Sequence, residues 1–203
     1  MPVDFDKQAY WHDRFSTETS FEWLASSAEF MSIIKPILIK LEPSSARILH
    51  LGSGTSDLQN YFRLLGFLDV TNVDYEPLAA DRGRELEQQA FGDVKMKYAV
   101  ADATQLQLSN DSGDQDCKFD LVVDKSTVDA ISCGGDDQVW RMASSVKEHL
   151  APGAVWISLS YSSSRFGIEG LPFDVEVLAK VPTPKIKATD PDIFHWCYLL
   201  RQK

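Results

Sequence analysis

Short apolar runs alternate with helical stretches along most of this chain, and that alternation constrains its fold more than any other feature. The runs are RILHL, DVTNVDY, VKMKYAVADA, FDLVVD and AVWISLSYS. Strands alternating with helices specify an α/β fold with a mainly parallel sheet. Strand centres as apolar as LVV and VWISL suit a sheet covered on both faces. In open sheets of this kind a ligand sits outside the carboxyl ends of the strands, near the point where strand order reverses. The residues that follow each strand are therefore the first place to look for chemistry.

The intervening segments complete the outline. Residues 5–18 read as a short helix, and residues 21–41 as a second with a break or kink near Pro36. SDLQNYFRLLG is a helix that Ser56 or Asp57 can cap and Gly66 can end. PLAADRGRELEQQAF is a helix opened by Pro77 in its first turn. SNDSGDQDCK is a polar loop, and DDQVWRMASSVKEHLAPG a helix closed by a Pro152–Gly153 turn. FDVEVLAKV and FHWCYLLRQK form a final strand pair joined by the proline-rich PTPKIKATDPD.

At 203 residues and 44% hydrophobic content, the chain has material for one core. A single domain over residues 1–203 is expected, with a helical extension or lid over 1–45 and the Rossmann-like core over 46–203. No apolar run approaches the roughly 18–20 residues that span a bilayer. The charged, aromatic start MPVDFDKQAYWHDRF is unlike a signal peptide. Cys117, Cys133 and Cys197 are widely spaced and form no metal-like cluster with histidine, so free thiols and a cytoplasmic location are expected. His50, in an apolar strand, reads as packed or hydrogen-bonded. Net charge is −10, and the segment Ser109–Asp137 holds eight acids against two bases. Such a field repels nucleic acid and attracts basic partners.

Gly52-Ser53-Gly54 follows the first strand, where glycines let the backbone turn sharply and approach a ligand. Asp74 ends the second strand, 20 residues past Gly54, the spacing of an acid that binds ribose hydroxyls. Asp102 follows the third strand and can bind an adenine amino group, with Ala103 offering a backbone contact. Asp124 ends the fourth, in FDLVVDKSTVDAI. Any one acid reads as a turn former or cap; three in register point to a nucleotide. The dinucleotide fingerprint has a third glycine where this chain has Asp57, and an acid there suits a pyrophosphate poorly. An adenosine cofactor without phosphate, S-adenosylmethionine, fits better.

ILHLGSGTSDL, VDY, VADA, FDLVVDKSTVDAI and LAPGAVWISLS resemble the successive motifs of class I, seven-strand methyltransferases. YWHDRF, FEW and DKSTVDA resemble the branch that includes lysine methyltransferases of elongation factor 1-alpha. The resemblance covers nearly the whole chain, from about Tyr10 onward. It implies a doubly wound sheet of seven strands, mostly parallel with an antiparallel C-terminal strand. The branch has GCGNS where this chain has GSGTS, and a glycine where Ser126 stands, close to the expected transfer centre.

By this resemblance, Gly52, Ser53 and Gly54 pass under the methionine part of S-adenosylmethionine, Asp74 holds the ribose, and Tyr75 packs on the adenine. Asp102 and Ala103 hold its edge, and Asp124 and Lys125 line the cofactor near the sulfonium. Trp11, Phe15 and Phe21 match aromatic positions that close over the cofactor. Trp11 and Phe15 share a helix face, so they also read as a packing stripe, and a lid must pack too. Arg14 is placed either to pair with the cofactor carboxylate or to make a surface ion pair. Asp129 is expected to orient an acceptor amine, and Tyr161 to orient the acceptor or to pack.

The activity implied is methyl transfer without a metal, to a lysine of a basic protein, with elongation factor 1-alpha as the branch's substrate. A small-molecule methyltransferase and a non-catalytic cofactor-binding partner are the alternatives. A monomer is the favoured state, with no nucleic-acid or membrane partner.

Overall fold

A computed structural model describes residues 4–108, 117–187 and 189–203. The expected polar loop Ser109–Lys118, with acids Asp111, Asp114 and Asp116, falls largely outside the described residues. Seven strands form one sheet: β1 (Ile48–Leu51), β2 (Val70–Asp74), β3 (Lys97–Val100), β4 (Phe119–Lys125), β5 (Leu150–Ser160), β6 (Phe173–Pro182) and β7 (Phe194–Gln202). Their spatial order is β3-β2-β1-β4-β5-β7-β6. The first five pair in parallel, while β7 runs antiparallel to both β5 and β6. From β1 the chain winds outward through β2 to β3, then returns to β4 on the other side of β1. The order therefore reverses between β1 and β4, and their carboxyl ends frame the crevice.

Helices cover both faces. On one lie α2 (Ser27–Leu38) and α3 (Leu58–Leu64), where Phe30, Ile34 and Phe62 pack on Ile48, Leu121 and Val123. On the other lie α5 (Thr127–Ser132) and α6 (Asp136–His149), where Val139 and Met142 pack with Leu49, Val122 and Trp156. Leu121 and Val123 face one side and Val122 the other, as period-two strand geometry requires. The remaining helices are α1 (Gln8–Phe15) and α4 (Pro77–Phe91).

Several expectations are corrected. The first helix is shorter than 5–18. The helix expected over 21–41 starts only at Ser27, because Ser26 and Glu29 form a capping box. Residues 21–25 instead form a non-helical strap with Leu24 at φ 66°. Pro36 causes no break: it lies in the last turn of α2, where the missing N–H costs one bond. The Pro152–Gly153 turn does not close α6, which ends at His149; Leu150 directly opens β5, with a register shift opposite Phe119 and Leu121. Of the two candidate caps for α3, Ser56 accepts from the Leu58 N–H at 3.2 Å, and Asp57 makes no cap bond.

Candidate active site

The crevice between β1 and β4 opens into a cavity of about 730 Å³. Gly52 explains how its floor is built. Its φ is 64°, and a Cβ there would lie 1.9 Å from Thr127 Oγ1. Thr127 Oγ1 itself donates to the Leu51 carbonyl at 2.9 Å. Glycine thus lets the start of α5 close against the loop after β1. Ser53 lines the cavity, and its hydroxyl is buried without a partner in the protein.

Gly52, Ser53, Gly54, Asp74, Tyr75, Asp102 and Ala103 all line the cavity, so the structure brings these seven expected residues together. Asp74 Oδ2 accepts from the Gly54 N–H at 2.9 Å, and Oδ1 from the Glu76 N–H at 3.0 Å. Burial pushes the Asp74 carboxyl up to about 6, against the pull of those backbone donors. Asp102 Oδ1 accepts from both the N–H and the hydroxyl of Thr104 at 2.8 Å, an Asx turn that aims the loop after β3. His50 is buried beside the cavity, 3.0 Å through Nδ1 from Asn72 Oδ1, and burial depresses it to about 4, so it is neutral.

The opposite wall comes from the N-terminal segment. Trp11, Phe15 and Phe21 line it, joined by Trp23 and Leu24. Trp11 packs on Phe15 with centroids 5.4 Å apart, and Phe21 on Trp23 at 5.1 Å. Of the two readings for Arg14, the structure shows an ion pair, with Glu18, and Arg14 does not line the cavity. Its guanidinium lies against the rings of both Phe21 and Trp23, at 4.7 and 4.8 Å from their centroids, while Nε donates to Glu18 at 2.6 Å and Nη1 to Tyr10 at 3.0 Å. The aromatic segment uses it as its own filler.

The group after β4 divides. Lys125, Asp129 and Tyr161 line the cavity. Asp124 does not, which corrects its expected place beside the cofactor. Its carboxylate is 0% exposed and turned into the sheet, accepting from Trp156 Nε1 at 2.8 Å and the Val128 N–H at 3.2 Å. Burial raises it to about 7. Asp124 braces α5 against β5, so its effect on the cavity is indirect. Lys125 donates to Glu22 Oε2 at 2.5 Å and to the carbonyls of Trp23 and Ala25 at 3.1 and 3.2 Å. Burial lowers its pKa, against the pull of Glu22.

Asp129 is at the cavity wall, but its oxygens are taken. Oδ1 accepts from Ser160 Oγ and from Arg165 Nε, and Oδ2 from the Tyr161 N–H at 3.0 Å and Ser126 Oγ at 3.3 Å. Arg165 also lies 5.2 Å from the Tyr161 ring centroid, and Tyr161 is 58% exposed at the rim. Glu18, Glu22 and Arg165 were not foreseen. Arg165 bonds across 36 residues with no local pattern, whereas Glu18, four after Arg14, carried a readable signal. Among the described residues, no group of three or more His, Cys, Asp or Glu side chains could hold a metal ion, and no helix is long and apolar enough to cross a membrane.

No family model matches the chain. It is 60% identical over 203 residues to Methyltransferase srdJ of Neurospora crassa, covering 100% of this chain and 86% of that protein. It is 29% identical over 173 residues to EEF1A lysine methyltransferase 4 of Mus musculus, covering 78% of this chain but 62% of that longer protein. Among solved structures, TrmN from Thermus thermophilus superposes with a TM-score of 0.68 at 14% identity, over 95% of this chain and 53% of its own. Magnesium protoporphyrin IX methyltransferase from Synechocystis, solved with bound SAM, gives 0.62 at 12% identity, over 87% and 79%. At such low identities these two likenesses speak for the fold.

Proposed function

The chain belongs to the class I, seven-strand S-adenosylmethionine-dependent methyltransferases, and on that premise we propose that it methylates the side-chain amine of a lysine in a protein. The cavity fits the cofactor. The unpartnered Ser53 hydroxyl is a polar atom left for a bound group. A carboxylate offers about four acceptor sites, and the Gly54, Glu76 and Tyr75 backbone groups around Asp74 do not use all of them, leaving room for a ribose hydroxyl. Tyr75 presents a half-buried ring for the adenine, and Asp102 Oδ2 has only a 3.4 Å contact with Gln105. Phe15 and Phe21 would cover the other side.

Bound there, S-adenosylmethionine supplies an electrophilic methyl on a neutral leaving group. The protein's share is alignment, which accounts for roughly 7–11 kcal/mol of a barrier. A lysine amine, with a reference pKa of about 10.4, attacks only when neutral. Entry into the cavity lined by Trp11, Phe15, Phe21 and Trp23 would favour that form by desolvation. With its oxygens bonded to Arg165, Ser160, Tyr161 and Ser126, Asp129 offers little to an incoming ammonium. Its role in this reading is to hold Tyr161 and α5 in place.

The observation that carries the reading is the rim, where Tyr161 lines the cavity and is exposed, the place at which a long side chain from another protein's surface would enter. The mouse relative's name, EEF1A lysine methyltransferase 4, makes elongation factor 1-alpha the first substrate to test. The closed Asp129–Arg165 pair also favours a second reading, a neutral hydroxyl on a small molecule, because Arg165 already neutralises the Asp129 carboxylate. Incubation with labelled cofactor and cell extract separates the two. Label on a protein, mapped to lysine by mass spectrometry, supports the first; label confined to the small-molecule fraction overturns it.

A further inference from the structure

Lys125 ends the strand that reaches the centre of the crevice, yet its ammonium faces the N-terminal segment. All three of its hydrogens have acceptors there: Glu22 Oε2, the Trp23 carbonyl and the Ala25 carbonyl, across about a hundred residues of chain. Its side chain is 4% exposed. The strap is tied at further points. Glu22 Oε1 accepts from Ser56 Oγ at 2.8 Å, and Glu18 Oε1 from Thr55 Oγ1 at 3.0 Å. Both hydroxyls belong to the loop after β1. His195 Nδ1 lies 2.7 Å from the Leu24 carbonyl, so that nitrogen is the donor. Leu24 is held at φ 66°, a conformation unfavourable for a side-chain-bearing residue.

We propose that Lys125 is a positioning residue for S-adenosylmethionine: it does not touch the cofactor, but clamps residues 22–25 so that Phe21, Trp23 and Leu24 form one wall of its pocket. This rests on the cofactor site described above. The clamp joins the two halves of the pocket, because Glu22 bridges Lys125 to the glycine-rich loop. An ion pair with its lysine 4% and its glutamate 28% exposed is a costly way to fill space, and apolar residues of similar size often serve stability as well or better. The charges here do something apolar packing does not: they fix which carbonyls of a non-helical strap meet the end of β4.

The test is calorimetric titration of S-adenosylhomocysteine into the wild-type chain, Lys125→Met, Glu22→Met and the double variant, each checked for folding by circular dichroism. Both single variants are expected to bind about tenfold more weakly or worse, and the double variant within about twofold of the weaker single, as for residues acting as one unit. Wild-type affinity in Glu22→Met beside a loss in Lys125→Met overturns the proposal, since Lys125 would then contact the ligand directly. Wild-type affinity in both singles also overturns it. No binding by the wild-type chain sinks the cofactor site itself, a different failure. A readout independent of the variants is chymotryptic cleavage of the wild-type chain. S-adenosylhomocysteine is expected to slow cutting between Trp11 and Leu24 about tenfold, and an unchanged rate there, with binding intact, counts against the clamp.

Discussion

Arg165 grips one oxygen of Asp129 with two nitrogens, Nε and Nη2 each lying 2.9 Å from Oδ1. Both side chains are buried, at 11% and 6% exposure. Burial raises the Asp129 carboxyl, against the pull of Ser160, Arg165 and the Tyr161 N–H. Removing one member of a buried pair strands the other, at a cost of about 3–5 kcal/mol. Arg165→Met is therefore expected to lose about that much in urea unfolding. Arg165→Met with Asp129→Leu should recover most of it, because no charge is left unpaired. Additive losses in that double-mutant cycle would refute the pairing as a coupled unit.

Ser126 has φ 72°, the left-handed region that glycine enters freely. The branch to which this sequence was likened carries glycine there, and the backbone now gives the reason: the chain must turn sharply from β4 into α5. A side-chain-bearing residue held there costs roughly 1–2 kcal/mol, partly offset because glycine loses more entropy on folding. Ser126→Gly is expected to raise stability by about 0.5–1 kcal/mol, or roughly 1–4 °C in Tm for a chain of this size. A drop in Tm would mean that the 3.3 Å contact from Ser126 Oγ to Asp129 outweighs the strain.

The sheet and the meeting of Gly52, Ser53, Gly54 and Asp74 at one cavity were legible because local signals sufficed. Short apolar strands, a Gly-x-Gly turn and Asp74 at the expected spacing are all written within a few residues of one another. The places that were not legible depend on contacts between distant segments. Asp124 has the sequence position of a pocket residue, but Trp156, on the neighbouring strand, draws its carboxylate into the sheet. Arg14 has the spacing of a ligand-facing residue, but Phe21 and Trp23 fold back over it. That fold-back follows from α2 starting at Ser27 rather than at Phe21. The capping signal, Ser26 with Glu29 three residues on, stood in the sequence within an apolar helical pattern that read straight through it.

Asp124 also shapes the pH dependence of stability. Its folded pKa is raised from 3.8 to about 7 by burial, while the unfolded chain titrates near 3.8. A raised folded pKa contributes stability that is present below the unfolded value and lost as pH rises through the folded one. Between about pH 4 and 7 this group alone removes up to about 1.4 kcal/mol per pH unit. Unfolding free energy is expected to decline across that window, with a flatter profile in Asp124→Asn, whose side chain does not ionise and can still accept from Trp156. Parallel profiles for the two proteins would show that the carboxylate is not the source.

Asp74 reverses that sign when binding is measured instead of folding. Burial holds its carboxyl at about 6 in the free protein, and in the proposed site the ribose hydroxyls of the cofactor would bond more strongly to the ionised form. Below about pH 6 the carboxyl must lose a proton before it binds, at about 1.4 kcal/mol per pH unit. Affinity for S-adenosylhomocysteine is thus expected to be flat above pH 7 and to fall up to tenfold per unit below 6. Asp74→Asn should bind more weakly at neutral pH and lose most of this dependence. Asp74→Ala also removes the acceptor for the Gly54 and Glu76 N–H groups, so both the pocket loop and the ribose contact suffer. Hydrogen bonds to a charged group contribute about 1.5–3 kcal/mol, so a loss of about 10- to 100-fold is expected by calorimetry at pH 7.5. An affinity within twofold of wild type would place the ribose elsewhere in the cavity.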